Sequence, residues 1–102
     1  MSLKKEPIKG KPQVKVTFTL PKELTESVKS VALVGDFNEW NPKTTAMKKL
    51  PRGGYYVSLN LQKGRNYQFR YLLDGGRWLN DPAADAYAFS SFAHTDNCVV
   101  TV

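Results

Sequence analysis

A two-layer all-β sandwich is the fold class this sequence predicts, and three observations carry the prediction. Several segments alternate apolar and polar side chains with period two, Gly- and Pro-rich turns separate them, and no segment shows the 3.6-residue apolar period of an amphipathic helix. Short strands so spaced favour a sandwich, with a partly open barrel as the main competitor. At 102 residues the chain is one domain with room for one modest core.

Residues 13–20 open the pattern, with Val14, Val16, Phe18 and Leu20 on one side and Lys15, Thr17 and Thr19 on the other. Pro21 ends this strand. Residues 28–34 form the next, and the apolar run Val31-Ala32-Leu33-Val34 predicts burial on both faces near its end. Gly35 to Pro42 is rich in turn formers. Residues 44–50 read as a weak edge strand around Met47 and Leu50, and Pro51-Arg52-Gly53-Gly54 is a turn. In residues 55–61, Tyr55, Val57, Leu59 and Leu61 share a face. After the Lys63-Gly64-Arg65-Asn66 turn, Tyr67, Phe69, Tyr71 and Leu73 line one face, with Gln68, Arg70 and Leu72 opposite. Asp74-Gly75-Gly76 is a hairpin turn and residues 77–80 its return strand. Residues 81–95 lack a clean pattern; 82–86 have the composition of a helical turn, and an unpatterned stretch this long marks a functional or loose segment. Residues 97–102 close the fold.

The net charge of +6 suggests a polyanion partner at first sight. Lys4, Lys5, Lys9 and Lys11 against Glu6 leave +3 within the first eleven residues, among Pro7, Gly10 and Pro12. Residues 1–12 are therefore expected to be a flexible basic tail, and residues 13–102 the folded domain. The remaining charge forms no dense stripe, so nucleic acid is not an expected partner. No apolar run reaches the ~20 residues of a membrane span, and no secretory leader is visible, so neither is a membrane. The single cysteine, Cys98, has no partner for an internal disulfide, sits in the apolar run 98–102 as a buried small hydrophobe, and suits a cytoplasmic protein.

Catalytic chemistry has little to build on. His94 is the only histidine and has no nucleophile at a motif spacing. Glycoside hydrolysis needs two carboxylates about 5–9.5 Å apart. Asp36, Asp74, Asp81, Asp85 and Asp96 mostly occupy turn contexts, where local hydrogen bonding explains an aspartate. No side chains have metal-ligand spacing, and neither Gly53-Gly54 nor Gly75-Gly76 resembles a phosphate-cradling loop. No catalytic residue, metal or cofactor is expected.

The tryptophans stand apart from the other aromatics. Trp40 and Trp78 sit at strand–loop junctions among polar residues, where each is either a partly buried corner plug or an exposed platform. A pyranose has an apolar C–H face and a rim of hydroxyls. An exposed indole covers that face, while amides and cations serve the rim. Asn41, Arg70, Arg77, Asn80 and Asn97 lie close by in sequence or on adjoining strands.

The run from Val31 to Pro42 contains Gly35-Asp36-Phe37-Asn38-Glu39-Trp40 and resembles the "V-x-V-x-G-D-F-N-x-W" signature of carbohydrate-binding module 48. This family includes the early-set domains of branching enzymes and isoamylases and the glycogen-binding domain of the AMP-activated protein kinase β subunit. Residues 67–75 resemble "Y-x-F-K/R-F/Y-x-V-D-G", residues 78–82 resemble "W-x-x-D-P", and residues 96–100 resemble the closing "x-N-x-V-V/I". The four matches occur in the family's order. The resemblance implies an immunoglobulin-like early-set sandwich that binds α-1,4-glucan such as glycogen, starch or maltodextrin. It implies that Trp40 and Trp78 stack on consecutive glucoses, and that Arg70 and Asn97 hydrogen-bond hydroxyls. Two departures are visible. One extra residue separates Asp74-Gly75 from Trp78, and Ser91-Phe92-Ala93 stands where kinase-type members carry a glucan-packing leucine, which makes Phe92 the candidate replacement. The alternative expectation is an interaction module of the same fold that docks on a separate glucan-active enzyme or regulatory partner without binding sugar.

Overall fold

The computed structural model describes residues 3–91 and 95–102. Among these residues, nine strands form two antiparallel sheets. They are β1 (Leu3–Pro7), β2 (Gln13–Leu20), β3 (Val31–Gly35), β4 (Lys48–Lys49), β5 (Tyr55–Gln62), β6 (Asn66–Leu73), β7 (Arg77–Leu79), β8 (Ala86–Ser90) and β9 (Thr95–Thr101). The first sheet has the order β1-β2-β5-β4 and the second the order β3-β6-β9-β8. Strand β7 shares one edge of β6 with β9: Leu72 pairs Trp78 on the later half, and Phe69 pairs Cys98 on the earlier half. This is the two-layer sandwich that the alternation predicts.

Period-two alternation decides which side chains meet between the layers. Val14, Val16, Phe18 and Leu20 of β2 face Phe69, Tyr71 and Leu73 of β6, Leu33 of β3, and Cys98 and Val100 of β9 in one cluster. Aromatic edges fill its centre. Phe18 and Phe69 meet at 5.2 Å between centroids, and Phe69 and Tyr71 at 5.6 Å, both edge-on, a geometry favoured by the ring quadrupole. Tyr55, in the same cluster, donates its Oη–H to Val28 O at 2.9 Å.

Two expectations fail. Residues 1–12 are not simply a flexible tail, because Leu3–Pro7 pair antiparallel with β2 from Leu3 opposite Phe18 to Pro7 opposite Val14. Leu3 is buried in the core, while Lys4, Lys5 and Glu6 are exposed. Charged side chains on an edge strand resemble a solvated tail in sequence and discourage further edge pairing in the fold. The expected helical turn at 82–86 is absent too: residues 82–83 are a turn and residue 85 a bend, and residues 86–90 form β8, which pairs with β9 from Ala86 opposite Val99 to Ser90 opposite Thr95. Its aromatics, Tyr87 and Phe89, are exposed, so burial imposes no alternation on its sequence. The Asp85 carboxylate, just before β8, links β1 to β9, accepting from Lys5 Nζ at 2.6 Å and from the Thr101 N–H at 2.8 Å.

Replacement of Leu3 by Ala is expected to lower stability by about 2 kcal/mol, through lost burial and the cavity left behind. Urea midpoints of the two proteins check this, and equal midpoints would mean that β1 does not pack.

Candidate functional site

The alternation that sends Phe69 and Tyr71 inward sends Gln68, Arg70 and Leu72 of β6 to the outer face of the second sheet. Cross-strand pairing assigns their neighbours: Val34 lies opposite Arg70, Trp78 opposite Leu72 and Val99 opposite Gln68. Asn97 precedes the inward-facing Cys98 and so also faces out. Val34, Leu72 and Val99 are buried, yet they lie outside the inter-sheet cluster. They form a thin apolar layer on the outer face, beside the polar and aromatic residues they pair with.

Above this layer runs an open groove of about 580 Å³, lined by Trp40, Trp78, Arg70 and Asn97 together with Asp36, Gln68 and Ser90. The volume falls within the range of small-ligand sites. Trp78 is 44 % exposed and Trp40 partly so. Phe92 lies outside the described residues.

Each wall is fixed by its own hydrogen bonds. After β3, a single 3-10 turn, Asp36–Asn38, leads into Glu39 and Trp40, both left-handed with φ of 57°. Two consecutive non-glycine residues in that region cost about 1–2 kcal/mol each, so neighbours must impose the conformation. Asn38 does so by accepting from the Gly35 N–H at 3.1 Å and donating to Leu33 O at 2.8 Å and Thr45 Oγ1 at 3.1 Å. The Trp40 N–H closes the loop on Gly35 O at 2.9 Å. Gly35 itself is required by space rather than by φ: a Cβ there would lie 2.5 Å from Gln68 O and 2.8 Å from Phe69 Cβ.

The other wall is the β6–β7 hairpin. Asp74 and Gly75 take positive φ and the Gly76 N–H bonds Leu73 O at 3.1 Å. The extra residue before Trp78 falls within this turn, so β7 keeps Trp78 on the outer face. Asp74 Oδ1 accepts the Lys29 and Ser30 main-chain N–H groups at 2.8 and 3.0 Å, and these bonds pull its pKa below the usual aspartate value. Arg70 Nε donates to Asn80 Oδ1 at 2.7 Å, and Asn80 Nδ2 to Asp96 O at 2.9 Å. The Arg70 guanidinium carbon stands 5.4 Å from the Trp78 ring centroid, within cation–π range. Asn97 is mostly covered, and its Nδ2 donates to Gln68 Oε1 at 3.0 Å.

The model of the family described as carbohydrate-binding module 48 (isoamylase N-terminal domain) matches residues 14–88. The chain belongs to carbohydrate-binding module 48. No curated protein matches it. As a member of this family the module is a carbohydrate-binding domain of non-catalytic type.

Three groove residues of the module were not among the candidates read from the sequence. Gln68 shares the outward parity of Arg70 two positions on, and that alternation was the available signal. Asp36 sits inside the Gly35–Trp40 motif but reads as a turn residue. Ser90 belongs to β8, whose pattern carries no burial signal. Among the described residues no His, Cys, Asp and Glu cluster is arranged to hold a metal ion.

Behind the groove a buried polar cluster ties β6, β7 and β9 together. Asp81 has no exposed surface; its Oδ2 accepts Tyr71 Oη–H at 2.9 Å, its Oδ1 the Ala83 N–H at 2.8 Å, and its own N–H points at Cys98 Sγ at 3.0 Å. Tyr87 Oη–H donates to Asp81 O. Asp81 makes the local turn bond expected of it, to the Ala83 N–H, and with its other oxygen also anchors the strand that carries Trp78. Burial, with the nearby Asp81 carboxylate second, holds the Tyr71 phenol well above its ordinary pKa of 10.0, and burial pushes the Cys98 thiol from 9.0 up to about 11.

Both shifts favour the protonated form in the folded state; for Cys98 the stabilisation is complete below pH 9.0 and is lost as pH rises through about 11, because unfolded chains release the proton first, and Tyr71 acts in the same direction. Urea midpoints are expected to hold to pH 9 and then fall, with a shallower fall in Cys98→Val. A midpoint unchanged at pH 11, or rapid alkylation of folded Cys98 at pH 8, would contradict this burial.

Proposed function

We propose that this module binds α-1,4-linked glucan chains, such as glycogen, starch or maltodextrin, without transforming them. Trp40 and Trp78 stack on the apolar faces of neighbouring glucoses, and Arg70, Asn97 and Gln68 hydrogen-bond the hydroxyl rims. The observation that carries the reading is that two tryptophans, 38 positions apart in the chain, line one groove together with the amides of Gln68 and Asn97, the Arg70 guanidinium, Ser90 and Asp36. Among the described residues Arg70 commits its Nε to Asn80, which leaves its terminal N–H groups to serve a ligand. The groove has one lining carboxylate among the described residues, Asp36, whereas hydrolysis of a glycosidic bond uses two. That supports binding without turnover. A fold whose only cysteine is a buried free thiol suits the reducing cytoplasm.

A second reading has one observation in its favour. Phe89 is 69 % exposed and Tyr87 46 % exposed on edge strand β8. An apolar edge of this kind suits a module that docks on a separate glucan-active enzyme. Stable co-purification with such an enzyme, at a groove indifferent to sugar, would favour it.

Maltoheptaose is expected to quench the tryptophan fluorescence of the parent protein. Trp40→Ala and Trp78→Ala should each weaken binding by roughly 1–3 kcal/mol, the scale of one stacked ring. The affinity should respond little to added salt, since the ligand is neutral, whereas nucleic-acid binding would fall steeply. Parent-like affinity in both alanine variants would refute stacking, and release of reducing sugar from maltodextrin by the pure protein would refute the absence of turnover.

A further inference from the structure

The Asp36 side chain joins the two sides of the Trp40 wall. Its Oδ1 accepts the Trp40 Nε1–H at 2.8 Å, and its Oδ2 accepts the Gln68 main-chain N–H at 2.7 Å. The β3–β6 ladder ends with Gly35 opposite Phe69. One residue further on, the Asp36 carboxylate takes over as partner of the Gln68 N–H. The Trp40 ring is thereby tied to the strand that carries Gln68 and Arg70.

The bond sits at the informative end of the ring. The Trp40 main chain is already held by its N–H to Gly35 O and by its left-handed conformation. Two side-chain torsions would still let the indole swing across the groove or lie flat over the loop. A hydrogen bond from the far edge of the ring removes both freedoms before any ligand arrives, which is how a site avoids an ordering cost on binding. The carboxylate acceptor makes it a charge-assisted bond, stronger than a neutral one. Trp78 is held differently: its Nε1 makes no hydrogen bond among the described residues, and Arg70 stands over its ring. The two platforms therefore differ in kind. Trp40 is fixed and offers only its face, while Trp78 keeps an N–H donor for the ligand.

We propose that Asp36 is the positioning residue that holds the Trp40 indole in its sugar-facing orientation, so that glucan affinity depends on this carboxylate through Trp40. The inference rests on the glucan reading above. A double-mutant cycle separates this role from simple loop support, because Trp40→Phe keeps an aromatic face but has no N–H for Asp36 to hold.

The experiment measures maltoheptaose affinity in the parent, Asp36→Ser, Asp36→Asn, Trp40→Phe and the Asp36→Ser/Trp40→Phe pair, with the Trp40 indole N–H followed by NMR in the sugar-free proteins. Asp36→Ser is expected to weaken binding about tenfold when Trp40 is present, the scale of one lost hydrogen bond to a charged group, and hardly at all in the Trp40→Phe background. Asp36→Asn, whose single amide oxygen satisfies one of the two N–H groups, should fall between. The Trp40 indole proton should move and exchange faster with water in Asp36→Ser. Equal losses in both backgrounds, or an unmoved indole resonance, would overturn the proposal. A moved resonance in a protein that binds no maltoheptaose would instead sink the glucan reading and uphold the hold of Asp36 on the ring.

Discussion

Strand β6 faces two ways, and its register couples the core to the groove. Tyr67, Phe69, Tyr71 and Leu73 point between the sheets, and Gln68, Arg70 and Leu72 point out. A slip of one residue would exchange the two sets, placing a guanidinium in the core and Phe69 and Tyr71 in water. Core packing thus specifies where the groove's polar groups stand, with no separate interaction needed to choose the face. The same register brings Val34, Trp78 and Val99 beside them from three other strands.

Loops complete the groove, and aspartate and asparagine side chains fasten each of them. Asn38 holds the strained Glu39–Trp40 pair, Asp36 links that loop to β6, Asp74 ties the β6–β7 hairpin to the chain before β3, and Asp81 clamps the end of β7 against Tyr71 and Cys98. These carboxylates and amides accept main-chain N–H groups that the sheet ladders leave over. Buried N–H and C=O groups need such partners, and side chains that supply them between elements also stiffen the site. Rigidity at Trp40 and at the hairpin is built from polar bonds, beneath a face that presents two indole rings.

Much of the fold was legible in the sequence. The alternation at residues 13–20 coincides with β2, and the inward and outward sets of β6 are as the pattern divides them. Illegible parts share a cause, because both missed strands are edges. β1 carries Lys4, Lys5 and Glu6 on exposed positions and so reads as a tail, and β8 leaves Tyr87 and Phe89 in solvent, so its alternation has no burial to report. Aspartates were misjudged for a related reason. Turn chemistry explains an aspartate locally, and nothing in the sequence announces that Asp74 reaches Lys29 or that Asp81 reaches Tyr71. Composition places Trp40 and Trp78 at loop junctions, but only the register and the hairpin bring them to one groove. The residues between them, Gln68 and Asp36, are recognised by geometry rather than by motif.

Glucan binding as proposed requires that the outer face of the second sheet, and no other surface, meet the sugar. A titration of ¹⁵N-labelled protein with maltoheptaose tests it most directly. The expected shifts fall only at the two indole N–H groups, the side chains of Gln68, Arg70 and Asn97, and the backbone around Asp36. Shifts clustered instead on the opposite sheet, around Thr17 and Ser58, would contradict it, as would a spectrum that saturating sugar leaves unchanged.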